Sequence, residues 1–271
     1  MKAIVNKAVC MLYTRPTRES SLTDEVLYGM VVELLEQPAP GWYRVRTHYR
    51  YEGFAPAEDL LTENTEVWEQ QPKLMVLNKN NCDVLSEAKV QGYPMQNLPR
   101  GGLVIPEGEE NDGWQKVRLA DGRTGFLPSS IVVPQPLEPV SREEAELRKA
   151  LVDTAMLYQG THYRWGGKSP QGIDCSGLCS MAYMLCGILI YRDADIKEGF
   201  PLREIPLDQM KPGDLIFFPG HVAMYIGNDR YCHSTGRAGS NGFAVNSLNP
   251  ADPDYREDLH KTITQVGSYF Y

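Results

Sequence analysis

The sequence predicts two small all-β barrels followed by an α+β domain, and three observations carry that expectation. The first is an internal repeat at a shift of 72: Gly41-Trp42-Tyr43-Arg44-Val45-Arg46 recurs as Gly113-Trp114-Gln115-Lys116-Val117-Arg118. Gly53-Phe54-Ala55-Pro56 recurs as Gly125-Phe126-Leu127-Pro128, and Gly29 as Gly101, at the same shift. The second is the proline-dense segment Pro134-Gln135-Pro136-Leu137-Glu138-Pro139, which favours stiff, extended polyproline II. The third is that beyond it helical periodicity comes first and strand-like runs follow, the order of an α+β domain.

The repeated halves span residues 1–68 and 72–134. Each alternates short apolar and polar runs, broken by glycine and proline, as small barrels do. The Trp-x-x-Val strand followed by Gly-aromatic-x-Pro resembles the bacterial SH3-like (SH3b) module, so two SH3-like barrels are expected. A linker is expected over 135–141 and a final domain over 142–271. There Ser141-x-x-Glu144 reads as a capping box opening a helix over 144–158, with Val152, Ala155, Met156 and Gln159 inward. Leu178, Met181, Ala182 and Leu185 predict a second helix over 176–187. Strand-like runs follow at 214–218, 221–226 and 230–235.

The composition, 42% hydrophobic and 23% charged, is that of a globular protein. A net charge of −8 without a basic patch argues against binding nucleic acid or an anionic membrane surface. No segment approaches the ~20 apolar residues that span a bilayer. The apolar stretch 8–13 is too short for a signal-peptide core, so a cytoplasmic location is expected. Six cysteines without a paired pattern read as free thiols. Cys179, Cys186 and Cys232 read as buried structural residues, and Cys175, Cys179 and Cys186 on one helix do not have a zinc-site spacing. No metal, cofactor or protein partner is expected.

The chemistry concentrates at Asp174-Cys175-Ser176-Gly177 and Gly220-His221-Val222. Cys175 falls in the first turn of a helix capped by Asp174 or by itself, where unsatisfied N–H groups and the helix dipole favour a thiolate. His221 and His233 are candidate partners, on strands joined through Gly227-Asn228-Asp229. A two-residue turn sends the two imidazoles to opposite faces. An odd-length loop or a bulge puts them on one face, as diagonal neighbours. In that arrangement His221 takes the Cys175 proton and His233 orients His221. His48, His162 and His260 read as surface or structural.

Tyr163-Arg164-Trp165-Gly166-Gly167, Asp174-Cys175-Ser176-Gly177, Gly213-Asp214-Leu215, Gly220-His221-Val222 and Tyr231-Cys232-His233 together resemble the NlpC/p60 cysteine peptidases, over residues 144–271. With two SH3b-like modules ahead of them, they are similar to the γ-D-glutamyl-L-diamino acid endopeptidases of the YkfC type. The resemblance implies a papain-like α+β catalytic domain and hydrolysis of the γ-D-Glu–diamino acid amide in murein peptides with a free N-terminal L-Ala, in cell-wall peptide recycling. It implies catalytic Cys175, His221 and His233, and substrate contacts from Tyr163, Asp174 and Ser176. Asp193 falls in Arg192-Asp193-Ala194-Asp195, which is similar to a Pro-Arg-Asp segment of that subgroup, with Tyr191 in place of the proline. Tyr51 matches a tyrosine closing the amine end of the site. Glu25 is a weaker match to an acidic partner of that amine, its ordinary reading being a solvated charge. Trp165 is expected to pack beneath the cleft, and the Cys175 N–H, with Tyr163, to serve a developing oxyanion. Two other readings stay open: a secreted hydrolase of intact peptidoglycan, and a non-catalytic protein that binds wall peptide through its SH3b modules.

Overall fold

The 72-residue shift extends to the whole strand order. The computed structural model describes residues 1–271, which divide into units 1–135 and 136–271. The first unit holds two seven-stranded antiparallel sheets. One runs in the order Leu22–Leu27, Val9–Tyr13, Glu52–Pro56, Trp42–Thr47, Val31–Ala39, Lys2–Val5 and Leu60–Leu61. The other runs Pro94–Pro99, Asn81–Leu85, Thr124–Pro128, Trp114–Arg118, Leu103–Pro106, Leu74–Val76 and Val132–Pro134. Trp42 pairs with Pro56 and Trp114 with Pro128, so both repeated motifs meet in the same register. Along Trp42–Thr47, Val45 and Thr47 turn inward while Arg44 and Arg46 face solvent and Glu52.

The two sheets share one core. Ile4, Tyr28, Trp68, Val104, Leu119 and Ile131 form a single buried cluster. The Ala120 N–H donates to the Tyr28 hydroxyl at 2.9 Å, and the Trp68 indole N–H to the Gly29 carbonyl at 2.8 Å. Trp68 comes from a short helix, Thr65–Gln70, that runs past the expected module boundary at residue 68. The repeated Gly29 has φ +78°, and a Cβ there would lie 2.5 Å from the Leu103 carbonyl oxygen. Gly29→Ala should therefore destabilise the first unit by about 3 kcal/mol, combining left-handed strain with overpacking. The check is a lower denaturant midpoint at unchanged slope.

The second unit has two principal helices and a six-stranded antiparallel sheet. The sheet order is Arg203–Ile205, Gln265–Ser268, Leu215–Phe218, His221–Gly227, Arg230–Thr235 and Gly242–Ser247. The predicted strands stand in its centre. The first helix, Glu144–Met156, is capped differently from expectation: Glu143 is the N-cap and makes no side-chain cap bond. The Ser141 hydroxyl instead donates to Glu146 and accepts from the Glu143 N–H. The buried face also differs: Leu147, Arg148, Leu151, Thr154 and Ala155 are buried, Val152 and Met156 are half-buried, and Gln159 is exposed. The reason is Arg148, a charged residue that no apolar pattern marks as interior. It donates to Asp214 Oδ1 and to the Pro212 carbonyl, both at 2.9 Å, and its guanidinium lies over Phe270. Ser268 and the Lys211 N–H complete the coordination of the fully buried Asp214. The Gly213-Asp214 motif thereby fastens helix to sheet. The Val140 N–H bonds to the Cys186 carbonyl, so the second half of the proline-rich segment belongs to this unit. No helix is long and apolar enough to cross a membrane.

Candidate active site

The helix Cys175–Leu185 begins at Asp174, whose Oδ1 accepts the Gly177 N–H at 2.6 Å. Gly177 lets the helix lie against the loop before it, because a Cβ there would sit 2.1 Å from the Gly167 carbonyl oxygen. The helix packs on the strands His221–Gly227 and Arg230–Thr235. Cys175, in the first turn, is 7% exposed. The backbone N–H groups of Val222 and Ser176 interact with its sulfur.

The hairpin settles the parity question by a bulge. Asn228 and Asp229 form a two-residue turn with φ 52° and 55°, and Gly227 pairs with Arg230. Tyr225 then pairs with Tyr231 and Met224 with Cys232, which leaves Ile226 as the extra residue. Both imidazoles consequently share a face, and His221 Nε2 lies 2.7 Å from His233 Nδ1. His221 is partly exposed and His233 fully buried. Phe218 and Tyr231 flank the pair.

Electrostatics differ from the expectation of a lowered thiol pKa. Burial, and then the Asp174 carboxylate, push the Cys175 thiol up to about 11, against the Val222 N–H, Arg192 and the Ser176 N–H. Desolvation outweighs the helix end. Burial, followed by Arg256, holds His221 below the ordinary imidazole range. Burial and the neighbouring His221 do the same for His233. Burial thus favours the uncharged forms of the thiol and of both imidazoles.

Around the thiol, Asp174 is saturated. Arg192, 1% exposed, donates from Nη1 to Oδ1 and from Nη2 to Oδ2, each at 3.1 Å. The Gly166 N–H donates to Oδ2 at 2.8 Å. Ser176 donates to Oδ1 at 3.3 Å and accepts from Arg192 Nη1 at 2.8 Å. With its acceptor sites filled from its own domain, Asp174 is primarily an organiser of the loop and helix start. Tyr163 is half-buried beside Gly236, and its phenol is raised to about 12 by burial, then by Cys175 and Asp174. Asp193 is exposed, accepts from the Tyr191 hydroxyl and lines a small cleft with Ser176, Cys179 and Val222.

Several expected residues lie otherwise. Trp165 is 66% exposed instead of packed beneath the cleft, because its loop turns at Gly166 (φ +72°) to reach Asp174. Glu25 is fully buried, as is Asp24 beside it, so that strand is covered on both faces and the solvated-charge reading fails. The Tyr51 hydroxyl shares a 2.9 Å hydrogen bond with Thr23 Oγ1. Tyr51 and Glu25 belong to the first unit, the Cys175 cluster to the second. Sequence reasoning passed over Asn246, whose Oδ1 lies 3.0 Å from His233 Nε2. An asparagine near the end of a short strand carries no distinguishing signal.

Comparison with known proteins agrees with this architecture. The NlpC/P60 family model matches residues 160–254, and that of the bacterial dipeptidyl-peptidase Sh3 domain matches residues 12–60. The chain is 46% identical to dipeptidyl-peptidase 6 of Lysinibacillus sphaericus over 275 residues, with both chains covered in full. It is 30% identical to the gamma-D-glutamyl-L-lysine dipeptidyl-peptidase of Bacillus subtilis over 166 residues, 58% of this chain and 51% of that one. A crystal structure of an NlpC/P60 family protein from Bacillus cereus superposes with a TM-score of 0.82 over all of both chains, at 21% identity.

Proposed function

The chain belongs to the NlpC/P60 family, and on that premise we propose that it is a cysteine peptidase that hydrolyses the γ-D-Glu–diamino acid amide of murein peptides bearing a free N-terminal L-Ala. The observation that carries this reading is a helix-mouth thiol that meets the Val222 N–H, next in sequence to His221, on a helix packed against the two strands whose imidazoles are hydrogen-bonded to each other. In the reaction, His221 takes the Cys175 proton as sulfur attacks the γ-carbonyl carbon. The C–N bond then breaks, and the amine of the diamino acid leaves with that proton. The thioester on Cys175 is hydrolysed by a water that His221 deprotonates, releasing L-Ala-γ-D-Glu.

Removal of a dipeptide from an amino end also fits what the full-length relative is called. The resemblance marks Tyr51 and Glu25 for recognition of the ammonium, and a carboxylate would bind –NH₃⁺ through charge-assisted hydrogen bonds. A role in recycling released peptides follows if intact wall is a poor substrate.

The test compares L-Ala-γ-D-Glu-diamino acid, its N-acetylated form and intact sacculi, for wild type and Cys175→Ala. The diamino acid should be released from the free peptide alone, and Cys175→Ala should release none. N-acetylation should lower kcat/KM by about 10–100-fold, the worth of one charge-assisted contact. Equal rates on the acetylated peptide, or preferred attack on sacculi, would refute the free-amine reading.

A further inference from the structure

Asn246 sits on the strand Gly242–Ser247, paired with Tyr231. The two ends of its amide are not interchangeable. Nδ2 donates to the Asp254 backbone carbonyl at 2.8 Å. Turning the amide round would set two oxygens against each other, since a carbonyl offers no proton. Oδ1 is thereby presented to His233 Nε2 at 3.0 Å. An amide oxygen only accepts, so His233 carries a proton on Nε2.

A neutral imidazole has one ring proton, which leaves His233 Nδ1 as a bare acceptor. The 2.7 Å contact with His221 Nε2 then requires the His221 proton to be on Nε2. His221 Nδ1 is left with a free lone pair, as a general base needs. The Asp254 carbonyl is itself held still. Arg230 grips the Asp254 carboxylate with Nη2 at 2.5 Å and Nη1 at 3.3 Å, and the neighbouring Tyr255 forms a bridge with Ser247.

From this chain of contacts we infer that Asn246 is a positioning residue that sets the tautomer of both histidines, with the Asp254 carbonyl as its fixed reference. The burial that keeps both rings neutral makes the arrangement decisive, because a neutral ring in the other tautomer would hold its proton on His221 Nδ1. When His221 gains the Cys175 proton, its Nε2–H already points at a lone pair on His233. The consequence for rate rests on the peptidase reading; the tautomer assignment does not.

The closing experiment uses full-length protein labelled with ¹⁵N-histidine, in which ring-nitrogen shifts distinguish protonated from bare nitrogens. The wild type should show Nε2–H, with bare Nδ1, for both His221 and His233. Asn246→Leu, which keeps the volume and loses the acceptor, should give a mixture of tautomers, with kcat on the free peptide down about 10–100-fold and KM within about twofold. Asn246→Asp, which keeps an acceptor oxygen for His233 but sets a second oxygen against the Asp254 carbonyl, should retain the Nε2–H tautomer of His233 and recover only part of kcat. A proton on Nδ1 of either histidine in the wild type would overturn the inference, as would Asn246→Leu with unchanged tautomers and kcat. The expected wild-type tautomers in a protein that cleaves no peptide would leave the inference standing and defeat the peptidase reading instead.

Discussion

His221→Ala should lower kcat/KM by about 10⁴-fold, with a residual rate that rises about tenfold per pH unit through the neutral range. The size follows from the thiol. Held at about 11 by burial and Asp174, Cys175 is a thiolate in only about one molecule in 10⁴ at neutral pH. On the proposed mechanism the wild type escapes that penalty, with His221 as the base that removes the proton during attack. Without the base, only the rare free thiolate reacts, and its population grows with pH until it nears the thiol's own value. The groups that set that value, Asp174 and Arg192 with the Val222 and Ser176 N–H groups, remain in the variant. The check is a pH–rate profile for both proteins on the free peptide. A residual rate that is flat with pH, or a loss under about 100-fold, would mean that Cys175 is activated by something other than His221.

Asp174→Ala acts on the fold before it acts on chemistry. It takes away the Asp174 carboxylate that the buried Arg192 guanidinium grips with two nitrogens, and removes the N-cap of the Cys175 helix. Leaving one partner of a buried pair costs about 3–5 kcal/mol, and losing the cap about 1 kcal/mol more. Against a typical domain stability of about 5–15 kcal/mol, that should lower the melting temperature of the second unit by about 10–20 °C. Asp174→Asn, which keeps a capping oxygen and one Arg192 contact, should fall between the two. Calorimetry resolves the units by comparing variants. An Asp174→Ala protein that melts within a few degrees of wild type would show that Arg192 finds other compensation.

These two sites also mark what the sequence disclosed. The repeat, the order of helices and strands, and the spacing of Cys175, His221 and His233 were legible because periodicity and turn residues are local signals. The hairpin could be posed but not resolved: Asn228-Asp229 reads as a tight turn, and nothing in Tyr225-Ile226-Gly227 marks which residue drops out of the ladder. Glu25 reads as a solvated charge, and Arg148 and Asp24 attract no reading, because charged residues look external until a partner or a covering surface is known. The thiol was misjudged for a related reason. Helix position is written in the sequence, whereas the depth that outweighs it emerges only from packing. Asn246 was invisible because its meaning lies in two acceptor–donor relations, with His233 and Asp254, that the chain brings together only when folded.

The shared core of the paired sheets bears on inheritance. Read as text, the two copies look like beads that recombination might trade, lose or multiply. A crossover between residues 61 and 74 would part Trp68 from the Gly29 carbonyl or from Val104 and Leu119, and would separate Tyr28 from Ala120. Neither fragment would keep a closed interior. The repeat is therefore expected to pass on as an undivided cassette, since each half forms part of the wall of the other.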